Sequence, residues 1–254
     1  MFTKEHFIWI SICIVIITTL SIISIKKKFS FKLAAFIMAG VSLISELSKI
    51  FSHMEFVNGV DVTEGMVLDP GALPFHLCSL LIFAFFYLPF AKESKFKTFL
   101  LNLVVPIGLV GATLAILMAT SGTDFLKPYA YQCFIYHAFM VWFAIYLIGT
   151  HQVSLEKKEW LQNILTLSIL SIVMIWVNSL LKDYNTNFFF IVRPPVKGLP
   201  LLNLNHGWFV YFITLLCLGF IGITLVHLPF LIKEHKTLKQ EKNSNDDTIA
   251  EYKI

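Results

Sequence analysis

Long apolar runs separated by short polar connectors recur along this chain from near its start to about residue 232. They fall at roughly 7–25, 33–52, 74–91, 98–120, 128–149, 160–181 and 207–232. A helix needs about 20 apolar residues to cross the hydrocarbon core of a bilayer. Each run therefore predicts one transmembrane helix, and the whole predicts an all-α, polytopic membrane bundle of seven helices over residues 1–232. No connector is long enough for a soluble domain. From residue 233 to 254 the chain turns charged and polar, ending KQEKNSNDDTIAEYKI, which predicts a short helical extension and then a disordered tail. In the fourth run, Pro106, Gly108 and Gly111 predict a kink and close helix packing. No internal repeat is visible.

Basic residues orient the bundle, because cytoplasmic connectors collect Lys and Arg. Lys26, Lys27, Lys28 and Lys32 follow the first run, Lys92, Lys95 and Lys97 the third, and Lys157 and Lys158 the fifth. The tail adds Lys233, Lys236, Lys239, Lys242 and Lys253. The other side carries Lys4, Lys127, Lys182, Arg193 and Lys197, a bias of 14 to 5. The expected arrangement in the cell membrane has the N-terminus outside and the C-terminus in the cytoplasm. The connector between the second and third runs agrees, with Glu55, Asp61, Glu64 and Asp69 and no base.

Composition strengthens this picture: 57% of residues are hydrophobic and 14% charged, and Phe alone contributes 25. A soluble domain is nearer ~25% charged. The net charge of +4 is then a matter of topology and gives no indication of nucleic-acid binding. The first run is followed by Lys26–Lys28 in place of a small-residue cleavage site, so it predicts a retained helix. Cys13, Cys78, Cys133 and Cys217 all lie in apolar stretches without a CxxC pair, which points away from a disulfide framework or a zinc knuckle.

In lipid, a strongly polar side chain is costly unless it faces the bundle interior, so each one is a candidate for function. Glu46 lies about six residues from the outer end of the second helix, roughly 9 Å deep. His76 and Cys78 begin the third helix, and Gln132, Cys133, Tyr136 and His137 lie within ~14 Å of the outer edge on the fifth. Asn178 closes the sixth. Helices of opposite direction thus carry their polar residues at one level, while the inner half is expected to be nearly bare apart from Asn102. Each residue also has an ordinary reading: Glu46 can pair with Lys49 one turn away, His76 and His206 can be interfacial, and Cys78 can be packing. His6, His53, His151, His227 and His235 lie at span ends or in connectors and carry no functional expectation.

A histidine can turn a neighbouring thiol into a nucleophile, whereas burial in lipid alone leaves it inert. Cys78 with His137 joins two helices, and Cys133 with His137, at i and i+4, is the alternative pair. A metal site is disfavoured, since no HExxH occurs and ligands would have to come from separate helices. Arg193 and Lys197, with Asn187, Asn178 and Gln132, could hold a lipid headgroup; ordinary interfacial anchoring is the competing reading.

Four segments carry a family resemblance: SELSKIF at 45–51, LPFHLCSL at 73–80, YQCFIYHAFMV at 131–141, and NFFFIVRPP at 187–195 with LPLLNLNHGWFVYF after it. Together they resemble the YwaF-like integral membrane proteins of bacteria over nearly the whole chain, departing near Asn203, where the family has an acidic residue. Vertebrate relatives of that family resemble multi-pass acyltransferases that move fatty-acyl chains through a cysteine and a histidine. The resemblance implies Cys78 and His137 in those roles. The expectation is a membrane enzyme that transfers or hydrolyses an acyl group on a membrane phospholipid in the outer leaflet. Cys78 would be the nucleophile and His137 the base; His76 would orient or donate to the oxyanion, and Glu46 would hold a histidine tautomer. No cofactor and no metal is called for. Two other readings stay open: a carrier or binding protein using the same polar cavity, and a His-based metal hydrolase.

Overall fold

A computed structural model of the chain describes residues 2–52, 54–57, 65–119, 122–196, 198–199 and 201–251. Its helices are α1 (Lys4–Lys26), α2 (Phe31–Ser52), α3 (Leu77–Tyr87), α4 (Lys95–Met118), α5 (Pro128–Gly149), α6 (Lys157–Leu180) and α7 (Trp208–Glu251). Between α2 and α3 lies an antiparallel ribbon of β1 (Met54–Val57) and β2 (Gly65–Leu68). Six of the helices are long and apolar enough to cross a membrane, and α3 extended to Phe90 is a shorter apolar one. The chain is a helical membrane bundle whose successive helices run in opposite directions. We call the end carrying the ribbon the ribbon end.

The third helix differs from the span expected over 74–91. It begins at Leu77, preceded by a 3₁₀ turn at Pro70–Ala72, and it finishes in another at Leu88–Phe90. A proline stands near each limit. Pro74 pushes the residue before it out of the helical region, and Leu73 is extended at φ −55, ψ 149. Pro89 cannot donate to the turn behind it. The resulting segment is roughly 22 Å long, short of the ~30 Å core. It is therefore inset at both ends: Ser79 meets Lys49 in the last turn of α2, and Phe90 packs edge-on against Phe36 near the start of α2.

α5 is the most enclosed helix and packs against α4, α1 and α2. Its aromatic side chains Phe134, Trp142, Phe143 and Tyr146 are fully buried, and Phe134 stacks on Trp9 of α1 at 4.9 Å. Away from the ribbon end, Trp142 Nε1 donates to Ser24 Oγ at 3.1 Å and Tyr146 donates to the Phe29 carbonyl at 2.9 Å. These tether α5 to α1 and to the connector that follows it. Large apolar residues on α1, α6 and α7, such as Val15, Ile172, Trp176 and Leu225, point outward. On a membrane protein that is the lipid-facing surface.

The half of the bundle far from the ribbon was expected to be bare apart from Asn102, and it is not. Asn163 Nδ2 of α6 donates to the Asn102 carbonyl of α4 at 3.0 Å and lies 3.0 Å from His227 Nε2 of α7. His227 Nδ1 donates to the Leu155 carbonyl at 2.9 Å, and the Ser154 amide donates to Asn102 Oδ1 at 3.0 Å. Pro106 explains why the Asn102 carbonyl is available. It stands four residues on and has no N–H to give it. The proline that marks a kink in sequence thus opens a hydrogen-bonding position for a neighbouring helix.

Candidate functional site

The last turns of α2 carry Ser42, Ser45, Glu46 and Lys49 at i, i+3, i+4 and i+7, one face of a helix. That face is turned inward: Ser42, Ser45 and Lys49 are buried. Lys49 forms an ion pair with Glu46 and donates to Ser79 Oγ of α3 at 3.1 Å. Ser45 Oγ accepts from Gln132 Nε2 of α5 at 2.6 Å. A lone charge near the middle of a membrane helix costs roughly 3 kcal/mol. Pairing within one turn offsets much of that cost and lets α2 carry both groups inside.

α3 presents its first turn to this face. His76 is its N-cap, extended at φ −70, ψ 149, and makes no side-chain capping bond. Its ring meets Phe188 edge-on at 5.3 Å and Phe190 at 5.5 Å, and Lys49 and His137 are its charged and titratable neighbours. Cys78, at the second helical position, is half-buried. Its carbonyl accepts from the Tyr136 hydroxyl at 2.8 Å, which fastens this turn to α5. The missing side chain of Gly111 on α4 leaves room beside the thiol, where an added Cβ would stand 3.8 Å from Sγ.

On α5, His137 Nδ1 lies 2.6 Å from the Cys133 carbonyl and 3.6 Å from Cys133 Sγ. A carbonyl only accepts, so Nδ1 carries the proton and the lone pair of the neutral ring sits on Nε2. The Cys78 thiol of α3 is an electrostatic neighbour of the same ring. Cys133 faces the protonated nitrogen, so the ring in this tautomer cannot take its proton.

Glu46, His76, Cys78 and His137 thus come together at the ribbon end. Sequence reasoning placed Tyr136 at this level without giving it a role, and read Lys49 only as the partner of Glu46. The spacing Cys133, Tyr136, His137 on one helix was the signal that Tyr136 shares the face. Holding a histidine tautomer, the task expected of Glu46, falls for His137 to the Cys133 carbonyl.

The residues expected at a lipid headgroup are arranged differently. Asn178 uses its whole amide on the main chain: Oδ1 accepts from the Phe188 amide at 2.8 Å, and Nδ2 donates to the Phe188 and Met174 carbonyls. Asn187 Oδ1 accepts from the Val192 and Arg193 amides, and its Nδ2 donates to the Arg193 carbonyl. The Arg193 guanidinium donates to Asn185 Oδ1 and the Asn185 carbonyl, each at 2.7 Å. Gln132 is held by Ser45. Lys197 lies outside the described residues. These side chains fold the α6–α7 connector into an aromatic turn in which Phe189 and Phe190 take positive φ of 58 and 55. Bulky residues seldom adopt that conformation. Tyr211 and Trp208 hold it, donating to the Phe190 and Ile191 carbonyls. The turn covers His76.

Among the described residues, no group of three or more His, Cys, Asp or Glu is arranged to hold a metal ion. Set against known families, residues 1–227 match the model of the TMEM164 family. No curated protein matches the chain, and no solved structure does.

Proposed function

The chain belongs to the TMEM164 family, a family of multi-pass membrane proteins, and on that premise we propose that it is a membrane enzyme transferring or hydrolysing an acyl group of a phospholipid. Cys78 is the nucleophile and His137 the general base. His137 Nε2 takes the thiol proton, and the sulfur attacks the ester carbonyl carbon. As the C–S bond forms, the carbonyl electron pair moves to oxygen, and a His76 ring N–H donates a hydrogen bond to that oxyanion. Collapse breaks the C–O bond, and the imidazolium returns its proton to the departing lysolipid alcohol. A second hydroxyl, from a lysolipid or water, then gives its proton to His137 and attacks the thioester. The C–S bond breaks and the proton goes back to the thiolate.

The observation that carries this reading is the commitment of His137 Nδ1 to the Cys133 carbonyl at 2.6 Å, which leaves Nε2 as the ring's base. The test is purified protein incubated with a radiolabelled phospholipid and read as hydroxylamine-sensitive label. Cys78→Ala should abolish the label and Cys217→Ala should leave it unchanged. Full acyl transfer by Cys78→Ala overturns the nucleophile, with Cys133 next in line.

The ribbon end faces outside in this reading, supported by the excess of Lys and Arg on connectors at the opposite end. A cysteine introduced at Asp183 should react with an impermeant maleimide in intact cells, and one at Glu156 should not. The reverse pattern moves the site to the cytoplasmic leaflet.

A further inference from the structure

The lysines at the end away from the ribbon are unevenly placed. Two stretches, 26–36 and 87–97, hold Lys26, Lys27, Lys28, Lys32, Lys92, Lys95 and Lys97 with a single acid, Glu93. Elsewhere at this end the signs are mixed: Glu156 and Glu159 flank Lys157 and Lys158, and Glu234 follows Lys233. Topology demands Lys and Arg on one side of the membrane but asks little of Asp and Glu. It therefore leaves the near-exclusion of acids from one half of that side unexplained.

The fold brings the two stretches together. Buried Lys97 at the start of α4 lies over the ring of Phe31, at the start of α2, at 4.4 Å. Phe90, closing α3, packs edge-on against Phe36 at 5.2 Å. The one acid of the patch is committed to Lys97, and the other six lysines are exposed. Apolar surface adjoins them: Phe90 is 74% exposed, and Phe83, two turns back along α3, is 65% exposed. From Phe90 to Phe83 this face runs about 10 Å toward the middle of the bilayer. Cations at headgroup level with apolar surface on their hydrocarbon side match the polarity of an acidic lipid. We propose that this patch binds a phospholipid with an anionic head, in the leaflet away from the ribbon. Its phosphate lies among Lys28, Lys32, Lys92 and Lys95, and its acyl chains lie along Phe90 and Phe83. The site is at the opposite end of α3 from Cys78 and stands independently of the acyl-transfer reading.

Purified full-length protein would be reconstituted in phosphatidylcholine vesicles with a trace of photoactivatable lipid. That lipid is either phosphatidylglycerol or phosphatidylcholine, carrying the same diazirine-bearing chain. Both leaflets then have one composition, so the direction of insertion does not enter. Crosslinks mapped to residues 26–36 and 83–97 should favour phosphatidylglycerol by at least about tenfold, since each lysine near an anionic head is worth about fivefold. Added salt should erode that preference without lowering the melting temperature. Lys28→Gln, Lys32→Gln, Lys92→Gln and Lys95→Gln together should reduce it to about twofold or less, while the same four lysines changed to arginine should keep it. Lys157→Gln with Lys158→Gln should leave it unchanged. Equal labelling by the two lipids overturns the proposal, as does a preference that survives the four glutamines or is as large at the α5–α6 connector. Should the glutamine variant melt far below wild type, the salt series on wild type decides: a preference indifferent to salt overturns the proposal.

Discussion

Each end of the bundle buries a histidine among polar partners, and the two are built to opposite ends. His227 spends both ring nitrogens on fixed groups, donating to the Leu155 carbonyl and standing 3.0 Å from the Asn163 amide. The hydrogen bonds there run to main chain or side-chain amide across α4, α6, α7 and the α5–α6 connector, with the Glu159 carboxylate as a charged neighbour of the ring. His137 spends Nδ1 on its own helix, beside the Cys133 carbonyl and thiol, and has the Cys78 thiol as a further neighbour. Around it stand an ion pair, a second histidine and a half-buried cysteine. Buried polarity inside a membrane bundle is thus not evidence of a site by itself. What separates the two ends is whether the histidine's hydrogen bonds go only to main chain and amide, as at His227, or whether a thiol shares its ring, as at His137.

Mutation should widen that difference. The largest effect is expected for His137→Gln, which keeps a side-chain amide near the Cys133 carbonyl but removes the base. Loss of a positioned general base costs ~10²- to 10⁴-fold in rate. Acyl labelling of Cys78 should fall by that order while the melting temperature stays near wild type. A Gln variant retaining full labelling would make the ribbon end another structural clasp.

The smaller effect belongs to the opposite end. Asn163→Leu removes the donor to the Asn102 carbonyl, leaving a buried acceptor unsatisfied at a cost of about 1–3 kcal/mol. Thermal stability should drop, with activity per folded molecule unchanged. A rate defect without lost stability would mean that the two ends are coupled.

The spans could be read because lipid imposes length and hydropathy directly, and the ribbon-end cluster because polar residues on three helices fell at one depth. That reasoning works wherever a polar side chain stands out against apolar neighbours. It could not find the two limits of α3, each of which lies near a proline whose effect is local. Nor could it find the clasp, where Asn163 and His227 each look like a residue near a helix end. Their partners are main-chain carbonyls that no sequence displays. For the same reason Asn178, Asn187 and Arg193 looked like headgroup ligands: a side chain that folds its own connector has the composition of one that binds an anion.

Pro106 carries a consequence for how the protein is made. Helices enter the membrane in order, and α4 arrives with the Asn102 carbonyl lacking its usual helical donor. In hydrocarbon, an unsatisfied backbone group is a strong incentive for association. The donor that completes it, Asn163, lies on α6 and arrives later. A chain halted after α5 would hold an open bonding position at the surface where α6 belongs. The early helices thus carry a built-in address for the late ones, and Asn163→Leu should slow the docking of α6 as well as weaken the finished bundle.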